Sequence, residues 1–195
     1  MTSPLSQAAL EQLFTQARSR NAWRKETLPD STWRDLYDVL KFGPTSANLS
    51  PARFAFVTTP EGKARLAPHL SESNRAKSLD APAIVIIAHD LAFADKAAEL
   101  FPINPGVAAW FAAPAVAEVT ALRNGSLQGA YLILAARALG LDAGPMSGFD
   151  NAGVDQAFFA GTTWKSNFIC SLGHGIDDSF PRLPRLAFES ACQIV

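Results

Sequence analysis

Two short stretches concentrate the residues that could do chemistry. Pro44-Thr45-Ser46-Ala47-Asn48, continued by Leu49-Ser50-Pro51, sets hydroxyl and amide side chains into a proline-bounded turn. Gly144-Pro145-Met146-Ser147-Gly148-Phe149-Asp150 packs two glycines and a proline around a serine. Proline and glycine at this density fix backbone shape and let the main chain approach a flat ligand closely. Neither stretch pairs a nucleophile with a base. Residues 144–148 read Gly-x-x-Ser-Gly, which misplaces the serine for the Gly-x-Ser-x-Gly elbow of a serine hydrolase. His174, at the end of an apolar segment, reads as a structural histidine. No Gly-x-Gly-x-x-Gly follows a strand, which argues against a Rossmann dehydrogenase. His69, His89 and His174 lack metal-ligand spacing, so no metal is expected.

Further polar residues stand at telling places. Asn74 and Lys77 are three apart in a helical stretch and therefore share a face. Arg18, Ser19 and Arg20 follow the first helical pattern, and Arg182 lies in the tail. Taken alone, such arginines are solvated charges at helix ends.

The chain must fold around these groups, and its composition is that of an ordinary soluble globule. It has 195 residues, 48% hydrophobic and 18% charged, which suits one domain over 1–195. A chain of this length buries roughly 70% of its unfolded surface. Seventeen basic and eighteen acidic residues leave a net charge of −1, so neither nucleic acid nor a membrane surface is an expected partner. Two widely spaced cysteines and a polar start (MTSPLSQ) fit a reducing cytoplasm and no signal peptide.

Periodicity predicts a helix from about Ser6 to Ser19, then a second from Asp30-Ser31, capped by one of those two, to Gly43. Strands are expected at Arg53 to Thr59 and at Ala83 to Ala88, the latter apolar throughout and so buried on both faces. A polar helix near Ser71 to Ser78 lies between them. Asp90 to Ala113 reads as a long functional loop with a short helix. Val116 to Leu139 is the longest helix, apolar nearly all round in its second half (AYLILAARAL), with Gly140 as its C′ residue. A strand near Asp142, a helix at Ala152 to Phe159 and a strand at Ser166 to Leu172 follow. The class is α+β, with a central sheet wrapped by helices.

In order along the chain, these stretches resemble the cofactor-contacting segments of the FMN-dependent nitroreductase family, from about Leu10 to Leu186. The resemblance implies that family's fold, a mostly antiparallel sheet wrapped by helices in an intertwined homodimer, with FMN at the subunit interface. An FMN phosphate wants guanidinium or ammonium groups. The reduced ring wants a cation or strong donor at its pyrimidine edge, and backbone donors at N5.

By the resemblance, Arg18, Ser19, Arg20 and Arg182 serve the phosphate. The family's Arg-x-Ser-x-Arg spacing is altered here to Arg18-Ser19-Arg20, which leaves open which arginine binds, and Phe180 replaces a frequent second cation near Arg182. Asn74 and Lys77 match the family's Asn-x-x-Lys for the pyrimidine edge. Pro145 and Met146 cover one ring face, and the amides of Ser147 and Gly148 point at N5 and O4, where a Cβ on residue 148 would crowd the ring. Pro44, Thr45, Ser46 and Asn48 reach the flavin from the partner subunit, with Ser50 in place of the family's glutamine. Asn124 stands where the family has a Gln or Asn facing the cofactor. Trp110 and Phe111 wall the substrate pocket or fill the dimer core.

Within the family the chain resembles a subgroup of NADH dehydrogenase/NAD(P)H nitroreductase-like proteins that includes malonic semialdehyde reductases. The implied activity is ping-pong hydride transfer. NADH or NADPH reduces flavin N5 and leaves, and a small acceptor then enters: a malonic semialdehyde-like aldehyde, a quinone or a nitro compound. No side-chain nucleophile is required. The alternative is a non-catalytic dimeric protein that stores or delivers FMN.

Overall fold

The apolar run beginning at Ala83 becomes the centre of the fold. In the computed structural model, which describes residues 3–176 and 181–195, strand β2 (Ala83–Asp90) is buried along its whole length. Antiparallel neighbours flank it on both sides, β1 (Ala52–Val57) and β4 (Trp164–Gly173), and β3 (Asp142–Met146) completes the sheet. The order is β1-β2-β4-β3, antiparallel throughout, so the α+β expectation holds.

Helices α1 (Gln7–Leu10), α2 (Asp30–Leu40), α3 (Pro60–Leu66), α4 (Glu72–Leu79), α5 (Ala97–Leu100), α6 (Pro114–Ala138), α7 (Asn151–Phe158) and α8 (Phe188–Ala191) surround it. The strand alternation sorts the core into two layers. Val85, Ile87, Cys170 and Leu172 pack on Leu36 and Leu40 of α2 and on Leu132 and Ala136 of α6. Ile84, Ile86 and Ile169 pack on Leu66 of α3, Leu70 and Val154 of α7. A third cluster joins Leu49, Phe93, Val107 and Ala121.

Helix α6 starts with Pro114 in its first turn, where the missing N–H costs nothing. It ends at Gly140 (φ 84°), with Leu141 N–H returning to the Ala136 carbonyl at 2.9 Å. Between these ends it presses on the sheet through small residues. A Cβ at Gly129 would lie 2.4 Å from Phe168 Cζ, and one at Gly125 would lie 3.0 Å from His89 Cβ.

Three local expectations change. The first helix is shorter: α1 runs into a π-helical turn at Glu11–Thr15 and stops. Arg137 Nη1 takes the Leu13 carbonyl at 2.8 Å, the acceptor that a continuing helix would use. The chain then straightens, and Ser19 pairs in parallel with Ala143 of β3. Neither Asp30 nor Ser31 caps α2 through its side chain; Pro29 holds the cap position and its carbonyl accepts from Thr32 N–H at 2.9 Å. The segment 91–113 is more ordered than a loop, with 3-10 turns at Phe93–Lys96 and Pro105–Phe111 on either side of α5. Phe180 lies outside the described residues.

Candidate functional site

The candidate residues separate into two groups at opposite edges of the sheet. One group gathers at the β3 edge. Ser19 bridges to Ala143, and Arg20 N–H donates to the Ala143 carbonyl at 3.1 Å, so residues 18–20 run alongside β3. Trp23 Nε1 donates to the carbonyl of Lys77 at 3.0 Å, which holds α4 next to this segment. Asn74, also on α4 and buried, donates from Nδ2 to the Gly148 carbonyl at 3.1 Å. Ser78 Oγ, one residue beyond Lys77, bonds Met146 Sδ at 3.5 Å. The turn after β3 spends its carbonyls inward: Gly148 O also accepts from Ser71 N–H, and Ser147 O accepts from Phe149 N–H, both at 3.1 Å. The amides of Ser147 and Gly148 make no hydrogen bond among the described residues.

The arginines of this group divide. Arg20 turns to Asp142, Nε to Oδ1 at 3.3 Å, and Gly175 leaves the room its stem occupies. Arg18, Ser19 and Arg182 instead line a cavity of about 880 Å³. Arg137 and Arg185 line it too, and among the described residues no carboxylate does. Arg182 Nη2 is fixed on the Ala17 carbonyl at 3.0 Å. Arg137 Nε is buried without a partner among the described residues. Burial pulls the pKa of this guanidinium down, Cys170 and Asp142 oppose that, and Arg182 adds to it. Cations converging on one cavity repel one another, and a bound anion relieves both the repulsion and the desolvation.

The second group belongs to the β1 edge and to the α2/α6 face. Tyr131 Oη donates to the Pro44 carbonyl at 2.9 Å. Asn124 is almost fully enclosed: Oδ1 accepts from Ser46 N–H at 2.8 Å, while Nδ2 donates to Ser46 Oγ at 3.1 Å and Thr120 O at 2.9 Å. It grips the 44–50 turn instead of facing open space. Thr45 Oγ1 accepts from Ser50 N–H at 3.1 Å, and Asn48 Nδ2 donates to Leu100 O at 2.9 Å. The turn is closed at Ala52, whose N–H donates to Gln128 Oε1 at 2.8 Å, and at Arg53, which reaches Ser50 O and Asp90 Oδ2. Asp90 stays ionised more readily than an ordinary carboxyl: burial works against this, but bonds from Thr163, Ala92 N–H and Arg53 outweigh it. Phe111 packs edge-on against Phe93 at 5.1 Å, in the cluster that also holds Leu49, while Trp110 is exposed.

Met146, Ile169, Ile86 and Ala55 share one row of the sheet, so β3 and β1 stand three strand spacings apart, roughly 14 Å. Met146 packs on the α3/α7 face, whereas Asn124 holds the 44–50 turn on the α6 face. Within one chain the two loops lie at opposite edges of the sheet and on opposite faces of it.

Sequence reasoning missed Arg137, Arg185 and Gln128. Gln128 had a readable signal: with Asn124 it forms an i, i+4 polar pair, and both residues lie on the buried face of the helix. Arg137 had none, since its cavity is made by chain ends brought together only in the fold.

A model of the Nitroreductase family matches residues 2–174. Relatives carry the name "Putative NADH dehydrogenase/NAD(P)H nitroreductase". One from Caulobacter sp. (strain K31) is 60% identical over 98% of each chain, and HadB from Ralstonia pickettii is 56% identical over 100% of each. Among solved structures, one described as a "putative nitroreductase in complex with FMN" from Exiguobacterium sibiricum 255-15 has a TM-score of 0.87 at 19% identity, covering 100% of both chains. CLA-ER, an enone reductase of gut-bacterial fatty acid saturation, has a TM-score of 0.83 at 18% identity over 98% of this chain and 100% of its own. At such identities the structural likeness concerns the fold.

Proposed function

The chain belongs to the nitroreductase family, and from that premise we propose an FMN-dependent oxidoreductase that takes hydride from NADH or NADPH and gives it to a small acceptor. The acceptor class is a malonic semialdehyde-like aldehyde, a quinone or a nitro compound. The observation that carries this reading is the division of the candidate residues between two opposite edges of one sheet. A flat cofactor that needs both loops must draw them from two copies, as an interfacial flavin does.

The residues fit the cofactor. Arg18, Ser19 and Arg182 hold its phosphate, with Arg137 and Arg185 adding charge, and a buried Arg137 Nε that has no partner among the described residues supports an anion there. Asn74 and Lys77 approach the pyrimidine edge, and Pro145, Met146 and the amides of Ser147 and Gly148 face the reactive edge. Arg20, held by Asp142, orients the segment instead of binding the phosphate directly. Bound there, FMN supplies the hydride-accepting and hydride-donating centre for a two-step exchange. The protein contributes position, charge and exclusion of water. Pro44, Thr45, Ser46 and Asn48 come from the second subunit, and Trp110 and Phe111 wall the acceptor's entrance, Phe111 from the cluster it shares with Leu49 of that loop.

The homodimer is supported by apolar residues that α6 leaves exposed, Val116, Val119, Leu122 and Leu127, and by Leu183, Leu186 and Phe188 of the tail. Among the described residues no single helix is long and apolar enough to cross a membrane, and neither cysteine is in a disulfide. We place the protein in the cytoplasm.

Anaerobic titration of the purified yellow protein with NADH and with NADPH tests the reading. Bleaching by either, followed by recovery of colour with an acceptor from the three classes, is expected. Yellow protein that neither nicotinamide bleaches would instead indicate FMN storage. Colourless protein that takes up no FMN would refute both.

A further inference from the structure

We propose that Asn124 is a positioning residue and not a cofactor ligand: with Gln128 one turn later, it clips residues 46–52 into a fixed left-handed shape inside its own subunit. The consequence for cofactor binding rests on the reading that this loop serves a flavin held by the second copy.

The donor capacity of Asn124 is already spent. Its amide has two N–H donors, and both have partners, Ser46 Oγ at 3.1 Å and Thr120 O at 2.9 Å. Its oxygen accepts from Ser46 N–H at 2.8 Å, and the residue is 2% exposed. No donor remains for a ligand. Gln128, 3% exposed, accepts from Ala52 N–H at 2.8 Å, so two successive turns of α6 hold the two ends of one loop.

Between those ends the backbone is strained. Ala47 (φ 48°), Asn48 (φ 56°) and Ser50 (φ 42°) are left-handed, and none is glycine. Each pays a steric penalty that persists only where surrounding contacts over-determine it. The contacts are present in one chain: the two α6 amides, Thr45 Oγ1 on Ser50 N–H, and Leu49, 1% exposed in the Phe93–Ala121 cluster. Asn48 extends the unit to α5 through Leu100 O. The loop therefore reaches its partner already shaped, and binding does not have to order it.

The test uses the full-length protein with Asn124→Ala, Gln128→Leu and Gln128→Glu, the last keeping an acceptor for Ala52 N–H. Amide hydrogen exchange over residues 44–52, FMN affinity by fluorescence quenching, and the absorption spectrum of bound flavin are measured. Asn124→Ala, which loses two bonds to Ser46, and Gln128→Leu, which loses one to Ala52 N–H, should each speed exchange in the loop and weaken FMN binding by roughly tenfold or more. The spectrum of the bound flavin should stay that of wild type, and Gln128→Glu should retain most of the protection. Should Asn124→Ala fail to fold, the Gln128 pair decides. Unchanged loop exchange in Asn124→Ala overturns the proposal, as does a shifted flavin spectrum with loop protection intact. Wild-type protein that binds no FMN sinks the functional reading, while exchange in the flavin-free chain still decides the clip.

Discussion

Asn74 Nδ2 donates to the Gly148 carbonyl oxygen at 3.1 Å, tying α4 to the turn that follows β3. The contact also explains the glycine. A Cβ on residue 148 would lie 2.5 Å from Asn74 Nδ2 and 2.8 Å from Ser71 Oγ. The position is dictated by the approach of α4, where the sequence resemblance had suggested only room for a ring. Gly148→Ala should therefore separate turn from helix and destabilise the protein by about 1–3 kcal/mol, read as a lower urea midpoint. FMN affinity should fall with it. An alanine variant as stable as wild type would mean that α4 moves freely.

Arg137 gives the second prediction. Arg137→Met keeps an unbranched apolar stem and removes the guanidinium and its charge from the arginine-lined cavity. FMN affinity should drop by about tenfold, while riboflavin, which lacks the phosphate, should bind as it does to wild type. Titration of both flavins distinguishes the two roles of this residue. Equal losses would assign it to holding the Leu13 carbonyl alone.

His89 sets a pH dependence of stability. Its ring lies against Gly125 with Nδ1 buried and unpartnered among the described residues. Burial pushes its pKa below the usual 6.5; Asp155, Glu118 and Asp90 pull the other way, and Lys165 reinforces the fall. The folded ring stays neutral while the unfolded one takes up a proton at about 6.5. The unfolded state thus binds more protons over that window, and stability should decline as pH falls from about 7 toward the folded pKa. Urea midpoints of wild type and His89→Gln, compared pH by pH, check this. Parallel profiles would remove His89 as the cause.

Subunit mixing tests the two-edge arrangement directly. A variant defective at the β3 edge (Arg18→Ala with Arg182→Ala) and one defective in the loop (Ser46→Pro) should each lose FMN. In a two-fold dimer, a re-equilibrated equal mixture forms hybrids in which one site carries both defects and the other neither, restoring about a quarter of wild-type FMN occupancy. No recovery in hybrids shown to form would place both loops at a site within one chain.

Much of the scaffold was legible because burial leaves a compositional trace. The Ala83 run, apolar at every position, had to lie between two layers, and the glycine after α6 had to end it. The two loops were legible as sharp turns by their glycines, prolines and small polar residues. Features created by tertiary capture were not. Nothing in Leu10-Glu11-Gln12-Leu13 announces that Arg137 will take a carbonyl and stop the helix. The resemblance put Asn124 facing the cofactor, but its orientation depends on Ser46 and Thr120, a competition between partners that no spacing encodes.

The left-handed turn at 47–50 also limits how this chain can drift. Glycine, asparagine and aspartate suit such backbone, whereas valine, isoleucine and threonine resist it, so substitutions at these positions are filtered by geometry before chemistry is consulted. Ala47, whose methyl serves no polar contact, is then a position where glycine is the permitted exit. A saturation library across 47, 48 and 50 should therefore recover a narrow alphabet even under selection for folding alone.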